Sequence, residues 1–318
     1  VADNNDVDRD GDGLIEVYNL AQLDWVRNDL AGTSQHNGSD ANSTGCNPCN
    51  GYELMVDLNF DTNGDGVMDS SDTYFDPDGD SSNKGWLPIG SDVAPFVAIF
   101  EGNSHIINNL YINRSTNYTG LFAHLGDSDN SLAATVQNLT LTGDLMSVTG
   151  ASYTGALAGK IDNSQVSNCH SHGAVVGGSG TGGLIGRAEN DSQISNSSSA
   201  GYVTATGDGG GLVGSTGYNV TITDSYARGD VSATGNYIGG LLGYGRLGIT
   251  INGSYATGNV SAASHYSIGG LVGVLEDDAT HASNINNSYA TGNVSAHASV
   301  GGLIGEVQGG RTLSNSYA

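Results

Sequence analysis

The residues best placed to do chemistry in this sequence are oxygen donors set two apart. Asp61, Asn63, Asp65, Val67, Asp69 and Asp72 occupy the first, third, fifth, seventh, ninth and twelfth places of a twelve-residue stretch, with Gly66 sixth. Calcium takes six to eight oxygen ligands. A loop of this spacing supplies them from side chains and from the carbonyl at the seventh place, with glycine at the sixth making the sharp turn. Asp8, Asp10, Asp12, Leu14 (through its carbonyl), Glu16 and Asn19 repeat the pattern around Gly13. Asp76, Asp78 and Asp80 form a third acidic cluster without the full loop spacing. Ca²⁺ is the cofactor these segments predict; the competing reading is three acidic turns solvated by water.

Because Asp72 stands where many such loops carry Glu, the Asp61–Asp72 segment resembles the dockerin form of the calcium loop. That resemblance implies a calcium site. No paired second loop and following helix are evident, so it does not extend to binding a cohesin. Around the first loop, Leu20, Leu23, Val26 and Leu30 recur near helical period. Asn19 is a good N-cap, Gln22 sits at the reciprocal capping-box place, and Gly32 is a stop. The segment thus reads as a short amphipathic helix that caps one end of the fold, with residues 1–51 as the cap.

The composition narrows the partners. Nine Lys and Arg against 33 Asp and Glu give a net charge of −24. That excludes nucleic acid, which needs clustered cations, and disfavours anionic membranes. Twenty of the acids fall in residues 1–101, where the loops lie. No apolar run approaches the ~20 residues of a membrane span, so direct membrane insertion is not expected. Cys46 and Cys49 form a C-x-x-C in a Gly/Asn/Pro segment. A redox motif would want a strand and a helix around it, and a zinc site would want two further ligands. The preferred reading is a local disulfide, which places the chain in an oxidising, extracellular compartment.

Self-similarity sets the fold class. GGLxG recurs at Gly182–Gly186, Gly210–Gly214, Gly239–Gly243, Gly269–Gly273 and Gly301–Gly305, with GALAG at Gly155–Gly159. Between copies, one apolar anchor per repeat can be aligned: Ile107, Val136, Val166, Ile194, Ile222, Ile251, Ile285 and Leu313. The segments are short, rich in Val, Ile, Thr and Tyr, and punctuated by glycine. That is strand-and-turn composition, and stacking it on a period near 28 residues predicts an all-β parallel β-helix of about eight coils. Residues 52–112 would form the first coil, interrupted by residues 61–83, and residues 113–318 the repeats. Two places after each anchor stands Asn, Asp or Gly, which reads as a corner. Alternation then turns the next residue and the one two beyond it inward. The residue between faces out and is Tyr at Tyr226, Tyr255, Tyr289 and Tyr317. Such a column either shields the sheet or offers a surface for ligand or assembly. The paired apolar residues of GGLxG, such as Leu184 and Ile185, are either both buried by a glycine bend or leave one for a partner to cover.

GGLVG followed by NSYATGNVSA resembles the GLUG repeat of bacterial surface proteins, most strongly over residues 150–318. The resemblance implies a secreted, cell-surface, adhesin-like protein, and similar repeats stand beside some immunoglobulin-A peptidases. FEGNSHIINNLYI, from Phe100, is similar to the opening turns of many β-helix proteins.

Catalysis is not expected. The lysines are Lys84 and Lys160 alone, and Arg187, Arg228, Arg246 and Arg311 fall in different columns of the alignment, so no basic cleft assembles. Glycoside hydrolysis needs two facing carboxylates, and the acids beyond residue 101 are mostly isolated. His170 and His172 point the same way on one strand but have no acidic neighbours in the alignment. The expected function is that of an extracellular, calcium-stabilised structural or adhesive protein. Its expected partners are copies of itself, other surface proteins or glycans. The repeats closest to consensus come last, and the chain stops inside one, which predicts further sequence after Ala318 or head-to-tail assembly into filaments. The alternative is a carbohydrate-binding or polysaccharide-cleaving β-helix module.

Overall fold

Glycine every few residues keeps each strand to a few residues, so the chain turns repeatedly and stacks on itself. The computed structural model describes residues 8, 10–33, 49–77, 79, 82–129, 131–262 and 266–318. It is a parallel β-solenoid of about seven turns. One face is a 16-stranded sheet, two faces carry seven strands each, and a further five-stranded sheet runs along the GGLxG segments. Every named strand pairing is parallel, as in Tyr226–Ala227 with Tyr255–Ala256 and then Tyr289–Ala290. Among the described residues no helix is long and apolar enough to cross a membrane.

The corners follow from residue type. Asn109, Asn138, Asn168, Asn196, Asp224, Gly253, Asn287 and Asn315 all have φ between 49° and 62°. Asn, Asp and Gly tolerate this left-handed geometry. Several of the asparagines also bond from coil to coil, as Asn168 Nδ2 does to Asn138 Oδ1 at 2.8 Å. The GGLxG bend buries both apolar residues: Leu184 with Ile185, Leu212 with Val213, and Leu271 with Val272 are all fully buried. Glycine is obligatory there because backbones touch. A Cβ on Gly211 would lie 2.0 Å from the Gly240 carbonyl oxygen.

The column after the corners is a serine ladder. Ser197, Ser225, Ser254, Ser288 and Ser316 each accept the backbone N–H of the matching residue one coil back, at 3.1–3.2 Å. Each also donates to the carbonyl two residues earlier in its own coil. The hydroxyls thereby satisfy polar groups that would otherwise be buried unpaired.

The first coils depart from the expected register. Val136 pairs with Phe100, whereas Ile107 pairs with Leu141. Tyr111 and Ile112 pair with Ser147 and Val148 on a different face. The cause is a turn at Gly102–His105 with Asn103 and Ser104 both left-handed, φ 51° and 63°. It inserts two extra residues opposite the unbroken strand Thr135–Thr142. Phe100 rather than Ile107 is therefore the anchor in register with Val136, and the solenoid has about seven turns. The helix is also shorter than its apolar period suggests, running Leu20–Trp25 with a 3₁₀ turn Val26–Asn28. Its Leu23 and Val26 are fully buried against the end of the core. The stretch 1–51 does more than cap, since Ile15–Val17 pairs in parallel with Gly51–Leu54 as the outermost rung.

Candidate metal centre and tyrosine ladder

The two acidic loops share one hydrogen-bond scaffold. Asp8 accepts the N–H groups of Gly11 and Gly13, at 2.6 and 3.0 Å. Asp61 accepts those of Gly64 and Gly66, at 2.8 and 3.1 Å. Asp10 then receives Asp12 N–H and Asp12 receives Leu14 N–H; Asn63 and Asp65 do the same for Asp65 and Val67. The four glycines have φ between 73° and 91°, which side chains rarely adopt.

The loops differ in what their carboxylates face. Asp8, Asp10 and Asp12 bring their oxygens within 4.8 Å of one another, the one such group of three among the described residues. A hard divalent cation is the ion such a group can hold. Glu16 is buried on the strand that follows and accepts the Tyr18 hydroxyl at 2.8 Å. Asn19 is placed otherwise: its Oδ1 accepts Gln22 N–H at 2.9 Å and caps the helix, while Gln22 Oε1 receives Tyr18 N–H. In the other loop, Asp72 is turned onto the loop itself, accepting Thr62 N–H at 2.7 Å and Asp69 N–H at 3.1 Å. Asn63 Nδ2 bridges Asp65 and Ser71, and Asp69 accepts from Ser71. Val67 is half-exposed at this loop's rim. Of the third cluster, Asp76 is partly buried, and Asp78 and Asp80 lie outside the described residues. Cys49 is disulfide-bonded and Cys169 is free and buried; Cys46 lies outside the described residues.

A set of carboxylates that sequence reasoning missed lies beside the first loop. Glu16 pairs in register with Glu53, and Glu53 with Glu101. Three glutamates therefore stack on successive rungs, followed by Gln137. Like charges set directly opposite one another repel. Glu101 is satisfied: Asn103 N–H, Gln137 Nε2 and Asn138 Nδ2 all donate to it. Glu53 Oε2 accepts Asn103 Nδ2 at 2.6 Å. Burial lifts the Glu53 carboxyl to about 6; the Asn103 bond opposes this, and the charges of Asp12, Asp10 and Glu16 add to it. The only sequence signal was that each glutamate directly follows a large apolar residue: Ile15, Tyr52 and Phe100.

The alignment missed a second cluster, although the four arginines it compared do fall in different columns. His124, Lys160 and Arg187 occupy one column on successive rungs. Lys160 Nζ is 2.8 Å from Asp162 and 3.4 Å from Glu189, and Arg187 bonds Glu189 as well. His124 is fully buried, 3.7 Å from Asp162 and 3.6 Å from Asp92, contacts too long for hydrogen bonds. Burial alone would lower the Lys160 ammonium, but the bond and charge of Asp162, then Glu189, outweigh it and hold it above the ordinary lysine range. Burial would likewise raise Asp162, yet His124, Lys160 and Asn190 together hold it low. Lys160 and Arg187 are thus matched to acids, while both ring nitrogens of the buried His124 lack a hydrogen-bond partner among the described residues.

The tyrosines form the expected column. Tyr226 and Tyr255, and Tyr255 and Tyr289, stack at 4.9 Å with 4° between ring planes, and Tyr289 and Tyr317 at 5.4 Å. The Arg228 guanidinium lies 4.5 Å from the centre of the Tyr226 ring and donates to the Tyr255 hydroxyl at 3.1 Å. Tyr226, Tyr255 and Tyr289 are partly buried and Tyr317 is 62% exposed. His170 belongs to the same column, where it bonds Ser198 at 2.9 Å.

Parallel coils with repeated GGLxG corners define the class, a parallel β-solenoid. Residues 177–208 and 264–295 match the GLUG motif. A proposed Gly-rich membrane protein of Evansella cellulosilytica is 38% identical over 146 residues, covering 36% of this chain and 16% of that protein. Halomucin of Haloquadratum walsbyi is 31% identical over 184 residues, covering 57% of this chain and 2% of its own length. The chain thus spans a small fraction of these relatives. The crystal structure of a proposed immunoglobulin A1 protease from Bacteroides ovatus superposes with a TM-score of 0.59 at 18% identity, over 95% of this chain and 84% of that one. That likeness is one of fold.

Proposed function

We propose that this chain is a structural and adhesive segment of a larger extracellular surface protein, stiffened at one end by calcium and presenting the tyrosine ladder to a protein partner. Its likeness to a Gly-rich membrane protein and to halomucin supports the surface setting, as do the GLUG segments. The carrying observation is the ladder itself. Stacking at 4.9 Å leaves the inner rings no open face, and Arg228 bonds the hydroxyl edge at Tyr255. What the column offers is a stripe of phenol edges and hydroxyls. Sugars are gripped by open aromatic faces, so this geometry favours a protein surface over a glycan chain. The calcium part rests on Asp8, Asp10 and Asp12 converging within 4.8 Å.

The test is a melt in chelator and in calcium, run beside a glycan array and a reducing-sugar assay on the intact chain. At ~100-fold excess over its Kd a single bound ion adds about 2.7 kcal/mol, so the melting temperature should rise with calcium. An unchanged melt removes the calcium reading. Release of reducing ends, lost on Lys160→Met, would replace the adhesive reading with a polysaccharide-cleaving one.

A further inference from the structure

We infer that Glu53 is a ligand of the cation held by the Asp8–Glu16 loop, so that one ion ties the outermost rung to the next coil of the solenoid. The inference rests on reading that loop as a calcium site and adds a donor from outside it.

Three converging carboxylates do not fill a calcium shell of six to eight oxygens. A loop of this length closes the shell with a carboxylate at its twelfth place, but Asn19 is committed to the helix N-terminus. The missing carboxylate has to come from elsewhere. Glu53 stands in register with Glu16, in hydrogen-bonded contact with the strand that leaves the loop. It is 3% exposed. Its Oε2 is fixed by Asn103, and its Oε1 is buried with no partner among the described residues. A buried carboxylate oxygen without a donor is costly, and one set beside a second carboxylate is costlier still. Glu53 lies outside the group of oxygens within 4.8 Å of one another, so its side chain has to turn toward the loop, where a divalent cation would remove both penalties.

Glu101, the next rung, provides the contrast. Its oxygens are taken by Asn103, Gln137 and Asn138. Asn103 serves both rungs, donating its N–H to Glu101 and its amide to Glu53. The left-handed turn that displaced the register of the first coil thereby holds Glu53 with one oxygen free.

The experiment uses the full chain carrying Asp65→Ala, so that the other loop is weakened and the first reports. Calcium affinity is measured by calorimetry, and melts are recorded in chelator and in calcium. Glu53→Gln should weaken binding at least tenfold while raising the melting temperature in chelator, because a buried charge is removed. Glu101→Gln should stay within twofold of the parent. Glu53→Asp keeps the charge but shortens its reach, and should show the same loss if Glu53→Gln folds poorly. Parental affinity in both Glu53 variants overturns the inference. Asp10→Asn separates the two levels: if it leaves calcium binding unchanged, the loop is not the site and the inference falls with it. If it abolishes binding while the Glu53 variants bind normally, only the role of Glu53 is lost.

Discussion

Ser254 Oγ accepts the backbone N–H of Ser225 at 3.2 Å and donates to the carbonyl of Asn252 at 3.0 Å. One hydroxyl thus joins two coils at a buried corner where the backbone ladder is interrupted. Ser254→Ala leaves the Ser225 N–H and the Asn252 carbonyl without that partner. The expected loss is about 1–3 kcal/mol, read as a lower midpoint in denaturant. A neutral substitution would show that the ladder is incidental to stability.

Gly211 and Gly310 make a matched pair. A Cβ on Gly211 meets the Gly240 carbonyl oxygen at 2.0 Å, with the Ala227 methyl at 2.7 Å, whereas one on Gly310 meets nothing within 4 Å. Neither has the positive φ that would strain alanine by itself. Gly211→Ala must therefore push neighbouring coils apart and should cost more than the ~1–3 kcal/mol typical of overpacking. Gly310→Ala should lie within about 0.5 kcal/mol of the parent. Equal melting temperatures would refute the close-approach account.

These repeat features were legible because each recurs in every coil. The eight corner residues share one backbone geometry, and the tyrosine column follows from counting along the anchors. Features present once were not legible. INNLYI near Ile107 looks like VQNLTL near Val136, and the alignment took the likeness as register. The extra residues at Gly102–His105 displace it. The same irregularity concealed the Glu16–Glu53–Glu101 stack, and coil spacings that vary concealed His124 above Lys160 and Arg187. A periodic pattern reports the shared scaffold, whereas chemistry placed at the irregular coils has no second copy to reveal it.

The pairing of Lys160 with Asp162 predicts an acid-sensitive turn. Asp162 is fully buried and its carboxyl is held below the ordinary range by its partners. A depressed folded pKa stabilises above the unfolded value of about 3.9 and loses that contribution as pH falls through the folded value. Stability should therefore decline below about pH 4 more steeply in the parent than in Asp162→Asn. At neutral pH, Asp162→Asn leaves Lys160 with Glu189 at 3.4 Å and should cost less than the ~3–5 kcal/mol of a fully stranded buried charge. Lys160→Met combined with Asp162→Leu should recover much of that loss. A parallel acid profile in parent and variant would show that Asp162 does not titrate with unfolding.

The tyrosine ladder separates stack from hydroxyl. Aromatic pairs contribute about 0.5–1.5 kcal/mol each beyond burial. Tyr255 has two ring neighbours and the Arg228 bond. Tyr255→Ser with Tyr289→Ser should therefore lower stability by a few kcal/mol, about 2–4 on that scale, while leaving the solenoid folded by circular dichroism, because the backbone pairing of both residues persists. Replacing Tyr226, Tyr255 and Tyr289 together by Phe keeps every ring in place and removes only the hydroxyl edge. If the stripe is a binding surface, the triple Phe chain should retain its melting temperature within a few degrees and lose attachment to its partner surface, measured by cell or coated-plate adhesion. Undiminished adhesion would return the column to a purely structural role, one in which stacked rings shield the sheet and fix its register. Adhesion lost only in the double Ser chain, and not in the triple Phe chain, would place the contact on the ring edges rather than on the hydroxyls.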